Sequence, residues 1–398
     1  MSWVSDVCLG EVFGTHAAIR VGLVGHVLDP VTMIVHVGRC CTRFDRCTAR
    51  AKNRMTCSPK SCTVVAGGGV VIRVRVAVVL LALIALGGVV LVAWPTPDSR
   101  ASDPVSGDPV IVAVGDMACD PSNTNFRGGN GSSTACKQLS TSNGAVSDPT
   151  VDAFLGLGDY QYVCDQPGDF PLSYDPSWGR LDAIAHPAAG NHEYQTGPDG
   201  AGGTCPASNT TAGIYFSYFG AAAHPESGGH YSFNLGSWHL ISLNANCPKS
   251  GVGGCGAASP QTKWLAADLA ANTQPCVLAY WHQPRWTGQS TQSTTTAAWW
   301  SLLYQNHADL VLNGHMHVYM RFGYLNPSGT ADPNGVREVV VGTGGASVGG
   351  GTTNPVPFPQ VRLKTFGYLR MVLHPTGYDA QFIDRTGVAK DAFSGSCH

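Results

Sequence analysis

The sequence places a residue able to bind a metal directly after each of several short apolar runs. The runs and the residues that follow them are VIVAVG before Asp116, AFLGLG before Asp159, AIAHPAAG before Asn191, CVLAYW before His282 and LVLNG before His315. Short apolar runs are typical of buried strands, and ligands bind at the carboxyl edge of an open α/β sheet. Because helical patterns alternate with these strands, the sequence predicts a layered α/β or α+β domain over residues 110–398.

Local patterns between the runs predict further elements. Ser259 followed by Pro260 is a typical helix start, because a serine side chain caps the free amides of the first turn. The segment HYSFNLGSWHLISLNA alternates polar and apolar residues and predicts two strands joined at Leu235-Gly236. Residues 119–148 are rich in Asn, Ser, Gly and Thr and predict a long loop.

The side chains at the strand ends are chemically suited to a pair of metal ions. They offer carboxylates, imidazoles, an amide oxygen and, at Tyr162, a phenol, a set that suits iron, zinc or manganese. Two ions about 3.5–4 Å apart need a bridging carboxylate, and Asp159 is placed to supply it. One Gly-Asp pair after a strand is usually only a turn, but five such motifs in order predict a dinuclear site.

The motifs GDMA, GDYQY, GNHE, WHQP and GHMHVYMR resemble those of the calcineurin-like metallophosphoesterases, and within them the purple acid phosphatase branch. The resemblance covers roughly residues 110–370. Two positions indicate the branch. Ala118 stands where the general family has a histidine, and Tyr162 stands where purple acid phosphatases supply a phenolate to ferric iron. The resemblance implies a four-layer αββα fold with two central mixed sheets.

The resemblance also implies a role for each strand-end residue. The first metal, Fe(III), would be held by Asp116, Asp159, Tyr162 and His317. The second metal, which is Fe, Zn or Mn, would be held by Asp159, Asn191, His282 and His315. From its position next to Asn191, His192 is a candidate general acid that protonates the leaving oxygen, with a structural histidine as the alternative. The neighbouring Glu193 would orient His192 or a metal ligand.

Some positions depart from the family pattern. The segment after His282 lacks the further histidines of plant-type purple acid phosphatases, and Met320 stands where a glutamate is usual. These differences leave recognition of the leaving group open. Arg285 is a candidate phosphate contact, with Gln283 as an alternative, and a salt-bridged arginine at the surface is an equally good interpretation of Arg285.

The amino-terminal part divides into three segments before the predicted catalytic domain. Residues 70–94 contain the uncharged run Val76–Trp94, whose nineteen residues come near the roughly 20 that cross a bilayer as a helix. Arg73 and Arg75 precede it, so the positive-inside rule places the catalytic domain outside the cytoplasm. The segment is a membrane anchor or a cleaved signal segment. Residues 95–109 are a linker, and residues 1–69 receive no function, because the true start could lie later or the segment could be disordered.

Charge and cysteine usage agree with export. Residues 95–398 carry fourteen Lys and Arg against twenty-two Asp and Glu, and this net charge of −8 argues against nucleic-acid binding. A small phosphorylated substrate remains compatible, because metal ions supply local positive charge. Eight cysteines follow Val76–Trp94, an even number that predicts disulfides outside the cytoplasm. Cys247 and Cys255 are the most natural local pair.

The predicted activity is hydrolysis of phosphate monoesters by an exported enzyme whose two metals lower the pKa of a bound water. A phosphodiesterase or a nucleotidase on the same scaffold is the nearest alternative, since the ligand set is shared. A surface binding protein with a degenerate site is a third hypothesis. Its sign would be missing ligands, and none of the expected ligand positions is missing from the sequence.

Overall fold

The structure is a computed structural model that describes residues 107–198, 204–288, 292–349 and 357–398, together with the backbone of six strands between residues 3 and 74. The chain divides into two units, Met1–Arg100 and Ala101–His398. The predicted span Val76–Trp94 and most of the predicted linker lie outside the described residues. None of the helices within the described ranges has the length and apolar character that a bilayer crossing requires.

In the first unit the six strands form two antiparallel sheets of three. The first sheet contains β1 (Trp3–Cys8), β2 (Ala17–Val24) and β3 (Thr32–Arg39), and the second contains β4 (Met55–Ser58), β5 (Ser61–Ala66) and β6 (Val70–Val74). Strand β6 falls at the beginning of the segment 70–94.

The second unit contains the predicted strands and helices. Its described strands are β7 (Val110–Val114), β8 (Ala153–Gly156), β9 (Ala185–Pro187), β10 (Gly197–Pro198), β11 (Thr204–Cys205), β12 (Tyr231–Leu235), β13 (Trp238–Ser242), β14 (Cys276–Tyr280), β15 (Leu310–Asn313), β16 (Tyr319–Leu325), β17 (Val336–Val341), β18 (Val361–Leu363), β19 (Gly367–His374), β20 (Gly377–Asp384) and β21 (Ala389–Ser396). Its described α-helices are α1 (Gln138–Val146), α2 (Gly213–Phe219), α3 (Pro260–Ala271) and α4 (Ala297–Gln305). Short 3₁₀ helices occupy Arg127–Gly129, Phe170–Leu172, Trp178–Ile184, His192–Tyr194, Ala207–Thr211, Gly220–Ala223 and Pro225–Ser227.

Two large mixed sheets form the centre of the described part of the second unit. One has the order β21-β20-β19-β7-β8-β9, and the other has the order β12-β13-β14-β15-β17-β16-β18. Strands β7, β8 and β9 run parallel, as do β13, β14, β15 and β17, while the outer strands are antiparallel. The predicted fold class, an αββα sandwich around two mixed sheets, is confirmed.

The alternation of side chains along the strands explains the layering. In β14, Leu278 faces the core between the two sheets, whereas Val277 and Ala279 face a second core. This second core is closed by Leu265 of α3 and by Trp299 of α4. Because successive side chains of a strand point to opposite faces, a strand that is apolar at every position has to be covered on both faces, and the continuous run in β14 fits that requirement.

Two local predictions are confirmed and one is wrong. Helix α3 begins at Pro260, and the Ser259 hydroxyl accepts a hydrogen bond from the Thr262 amide at 3.3 Å. Strands β12 and β13 form the expected hairpin. The predicted loop 119–148 instead contains helix α1, whose sequence QLSTSNGAV has no apolar stripe. It is helical because it buries small and polar side chains such as Thr141 against its neighbours, a tertiary effect that periodicity does not reveal.

All eight cysteines of the second unit are paired. The described residues contain the disulfides Cys119–Cys136, Cys164–Cys205, Cys247–Cys255 and Cys276–Cys397. The Cα atoms of the pairs lie 5.3 to 5.8 Å apart, within the usual range for a disulfide. The Cys247–Cys255 pair is the local bridge that the sequence predicts.

Candidate metal centre

The predicted ligands lie on the loops that leave the parallel strands, and three of them adopt an unusual backbone conformation. Asp116, Asp159 and His315 have φ angles of 60°, 55° and 69°. A non-glycine residue in the left-handed region is uncommon, and such residues are concentrated at functional sites. At these three positions the turn after the strand therefore bends the chain sharply and brings the predicted ligands together.

Glycines before the ligands permit the close approach of these loops. A Cβ atom on Gly190 would lie 2.2 Å from Oδ1 of Asp159, and one on Gly314 would lie 2.8 Å from Oδ2 of Asp116. Real Cβ contacts are essentially never this short. The glycines before Asp159, Asn191 and His315 thus have a steric reason, because a Cβ atom at each of these three positions would meet another predicted ligand.

One group of ligands surrounds the Tyr162 hydroxyl. This hydroxyl lies within hydrogen-bond distance of Oδ1 of Asp116 at 2.7 Å and of Oδ2 of Asp159 at 2.8 Å, and it lies 2.9 Å from Nε2 of His317. Nε2 of His317 is 3.0 Å from Oδ1 of Asp116. The opposite ring nitrogen of His317 contacts the hydroxyl of Ser347. The four ligands predicted for the first metal thus converge on one point.

A second group lies on the other side of Asp159. Asp159, His282 and His315 offer ligand atoms that all lie within 4.8 Å of one another. Nδ1 of His315 is 2.8 Å from Oδ1 of Asn191. Nδ1 of His282 lies 2.7 Å from the Leu157 carbonyl, to which it donates, so Nε2 is the ring nitrogen left to bind a metal. This buried Nε2 lies 3.0 Å from Oδ2 of Asp159 without the alignment of a hydrogen bond, an arrangement that fits a metal between them.

The two groups meet at a single atom. Oδ2 of Asp159 is 2.8 Å from the Tyr162 hydroxyl and 3.0 Å from Nε2 of His282. The other carboxylate oxygen of Asp159, Oδ1, accepts a hydrogen bond from the backbone amide of His192 at 2.9 Å. One carboxylate is therefore shared by both ligand groups, as a bridging ligand requires.

The electrostatics of the site favour positive charge. Burial raises the pKa of Asp116 and Asp159, but His317 beside Asp116 and His282 beside Asp159 outweigh this effect, so both carboxyl groups have a lowered pKa. Burial lowers the pKa of His282, but Asp159 overrides it and raises this pKa to about 9. Burial, together with the two nearby carboxylates, raises the pKa of the Tyr162 phenol well above its usual value. The site thus attracts cations, and a bound metal ion would take the place of the imidazole protons.

Glu193 connects two of the ligand loops through hydrogen bonds to their backbone amides. Its buried carboxylate accepts hydrogen bonds from the backbone amides of Asp159 at 3.0 Å, Tyr160 at 2.8 Å and Gly190 at 2.5 Å. These amides belong to two different ligand loops, so one side chain fixes the position of Asp159 relative to Asn191. The GNHE motif predicts only a general orienting role for Glu193, because backbone contacts cannot be inferred from residue type.

His192 lies at the edge of the same site. Its Nδ1 contacts the carbonyl of Val163, and its Nε2 is 3.8 Å from Oδ2 of Asp159. The ring lies 4.3 Å from that of Tyr162, measured between centroids. With Nδ1 bound to a carbonyl, Nε2 is the ring nitrogen that faces the ligands.

Arg285 is engaged with a different set of partners. Its guanidinium contacts the carbonyl of Ser293 and lies 4.3 Å from the ring centroid of Trp286. Its backbone amide donates to Glu338 at 2.8 Å. Among the described residues, none of these contacts is to a predicted ligand. Gln283 donates to Oδ1 of Asn246 at 3.1 Å.

Residues 110–319 match the calcineurin-like phosphoesterase family, and this match includes all seven predicted ligands. The chain belongs to the calcineurin-like phosphoesterase family. Within the family, it is 26% identical over 249 residues to purple acid phosphatase 22 of Arabidopsis thaliana, an alignment covering 57% of this chain and 52% of the relative. It is 33% identical over 168 residues to purple acid phosphatase 15 of the same plant, covering 39% and 28%.

The fold is shared with a solved member of the same branch. The purple acid phosphatase from yellow lupin (Lupinus luteus) seeds superposes with a TM-score of 0.54 at 17% identity, covering 84% of this chain and 59% of the lupin chain. The aligned part of the chain spans about half the length of purple acid phosphatase 22 and 28% of the length of purple acid phosphatase 15. The resemblance of the motifs to this family and its purple acid phosphatase branch is confirmed.

We expect Gly190→Ala to disrupt the metal centre. The added methyl group would meet Oδ1 of Asp159, so the loops must separate and the shared carboxylate must shift. The expected result is a loss of bound metal, measured by elemental analysis after dialysis, with a fall in thermal stability. Gly168→Ala is the matched control, because a Cβ atom there meets nothing within 4 Å. Full metal loading of Gly190→Ala would contradict this steric interpretation.

Proposed function

We propose that this protein is a dinuclear metal-dependent phosphoesterase that hydrolyses phosphate monoesters, in the manner of an acid phosphatase. The observation that carries the proposal is the shared oxygen Oδ2 of Asp159, which lies 2.8 Å from Tyr162 and 3.0 Å from His282. A single carboxylate between a phenol-containing group and a histidine-containing group supports two adjacent cation positions. Membership of the calcineurin-like phosphoesterase family supports the reaction class.

In this proposal, each residue of the site either binds a metal ion or transfers a proton. Asp116, Asp159, Tyr162 and His317 would hold one ion, and Asp159, Asn191, His282 and His315 would hold the other. When bound, the two ions would supply a nucleophilic water and positive charge for the phosphoryl oxygens. Nε2 of His192 would deliver a proton to the leaving alcohol oxygen. The phenol in the first group favours Fe(III) there, with Fe, Zn or Mn in the second position.

Comparison of a monoester with a diester tests the reaction class. Purified protein would be assayed with nitrophenyl phosphate and bis(nitrophenyl) phosphate across the acidic and neutral pH range. A preference for the monoester with an acidic optimum supports the proposal. A preference for the diester would retain the two-metal site but assign a phosphodiesterase. Turnover of neither ester by the metal-loaded protein would favour a binding protein instead.

The proposed compartment is outside the cytoplasm. Four disulfides within the described residues support it, because disulfides persist in oxidising surroundings. Val76–Trp94 either anchors the protein in the membrane or is cleaved. Mass spectrometry of the protein recovered from the membrane and soluble fractions of its host distinguishes the two. A mature chain starting after Trp94 in the soluble fraction would show cleavage, and an intact chain in the membrane fraction would show an anchor.

We expect Tyr162→Phe to abolish the visible absorption of the iron-loaded protein. A phenolate bound to Fe(III) produces a charge-transfer band, and phenylalanine removes the oxygen that would bind the metal. Tyr160→Phe is a matched control on the same loop, because the buried Tyr160 hydroxyl has no hydrogen-bond partner among the described residues. An unchanged visible spectrum in Tyr162→Phe would show that Tyr162 does not bind the metal.

A further inference from the structure

A cavity of about 280 Å³ opens directly beside the metal ligands. His315 and His317 form one side of it, and its other lining residues are Met316, Val318, Ser347, Val348 and Gly349. The cavity therefore adjoins both ligand groups, since His315 belongs to one and His317 to the other. A substrate whose phosphoryl group lay on the two ions would have this space available for its alcohol portion.

The described lining offers few free hydrogen-bond donors to a bound molecule. The Ser347 hydroxyl is engaged by His317. The backbone amides of Val318, Val348 and Gly349 already donate to carbonyl groups of Met316, Thr134 and His317, respectively. Because these donors are already engaged, an alcohol rich in hydroxyl groups would lose its hydration here and gain few donors in exchange, which is unfavourable. The apolar side chains of Met316 and Val348 would instead gain contact with an apolar alcohol.

The charge of the lining restricts the substrate further. The lining residues include no lysine or arginine. A second phosphoryl group on the substrate would therefore meet no cationic side chain among them. The surrounding chain from residue 95 onward carries a net charge of −8, which also disfavours additional anionic groups.

We propose that this cavity is the binding site for the alcohol portion of the substrate, and that it selects monophosphate esters of apolar alcohols over polyol phosphates and nucleotides. Met316 and Val348 determine this specificity by contact with the alkyl or aryl group. The inference rests on the proposed function, because it assumes that the phosphoryl group lies on the metal ions.

A series of n-alkyl phosphates from ethyl to hexyl isolates the apolar contact, since these esters have nearly equal leaving groups. We expect KM to fall about twofold for each added methylene, because a half-buried methylene gains part of the full transfer free energy. Glycerol phosphate and adenosine monophosphate should have higher KM values than hexyl phosphate. A flat or rising KM along the alkyl series, or tighter binding of adenosine monophosphate than of hexyl phosphate, would overturn the proposal.

Val348→Thr tests the residue itself. Threonine keeps the β-branched shape and adds one hydroxyl, so the gain per methylene should shrink while the fold is retained. Val388→Thr is the matched control, because Val388 is 48% exposed and lies in the turn before β21. An unchanged dependence on chain length in Val348→Thr would assign the contact to other residues and refute the role of Val348.

Binding of n-alkyl phosphonates separates this inference from the proposed function. These compounds are not hydrolysed, so calorimetry of the metal-loaded protein measures the apolar contact without catalysis. An affinity that rises with chain length would support the cavity even if no ester were turned over. Hydrolysis of esters together with phosphonate affinities that do not depend on chain length would retain the phosphatase and refute the subsite.

Discussion

Replacing Asp159 with asparagine is expected to reduce kcat/KM by about 10³-fold or more, because the charge that joins the two cation positions is lost. The amide would also present hydrogen-bond donors to Tyr162 or His282, both of which lie within 3.0 Å of Oδ2. Elemental analysis should find fewer than two ions per chain. The thermal midpoint should not collapse, because asparagine fills the same volume and removes a buried negative charge.

The matched control for this prediction is Asp379→Asn. Asp379 is exposed and lies 3.1 Å from Nε2 of His374, in a different part of the fold. Its replacement should leave both activity and metal content unchanged. Retention of activity and of two bound ions by Asp159→Asn would refute the assignment of Asp159 as the bridging ligand.

Replacing His192 with alanine is expected to slow hydrolysis by an amount that depends on the leaving group. An alkyl phosphate releases a strongly basic alkoxide, so losing the proton donor should lower kcat about 10²- to 10⁴-fold. Nitrophenyl phosphate releases a weakly basic phenolate and should lose about tenfold or less. Steady-state assays with ethyl phosphate and nitrophenyl phosphate, run on the same preparations, give the comparison.

His307→Ala serves as the control for His192→Ala, because His307 is an exposed histidine that follows α4. Its kinetics should match those of the unaltered protein with both substrates. If His192→Ala slowed both esters equally, His192 would act by supporting the site and not by donating a proton. The backbone amide of His192 keeps its bond to Asp159 in the variant, so the metal loop should remain in place.

The sequence was sufficient to predict that the candidate ligands lie close together, because their positions depend on local rules. A short apolar run ending in glycine and a metal-binding side chain predicts both a buried strand and the edge at which it ends. The parallel pairing of β7 with β8 and of β14 with β15 then aligns those edges. For this reason the structure brings Asp116, Asp159, His282 and His315 to one place without help from distant sequence signals.

Contacts made by the backbone could not be predicted in the same way. The Val163 carbonyl that faces His192 and the Leu157 carbonyl that faces His282 have no signature in residue type. Ser347, which contacts His317, lies thirty residues further along the chain in a glycine-rich segment. Helix α1 escaped prediction because it buries small and polar side chains instead of an apolar stripe. Each of these features depends on tertiary neighbours and not on local pattern.

The disulfide between Cys276 and Cys397 makes folding of this protein depend on the redox state of the compartment in which it is produced. Cys276 begins β14 and is fully buried, and its partner lies 121 residues later, just beyond β21. A ribosome must therefore finish seven further strands before the two thiols can meet. Material produced in a reducing bacterial cytosol and material produced by secretion should consequently differ in thiol content, and the secreted form is the appropriate one for enzymology.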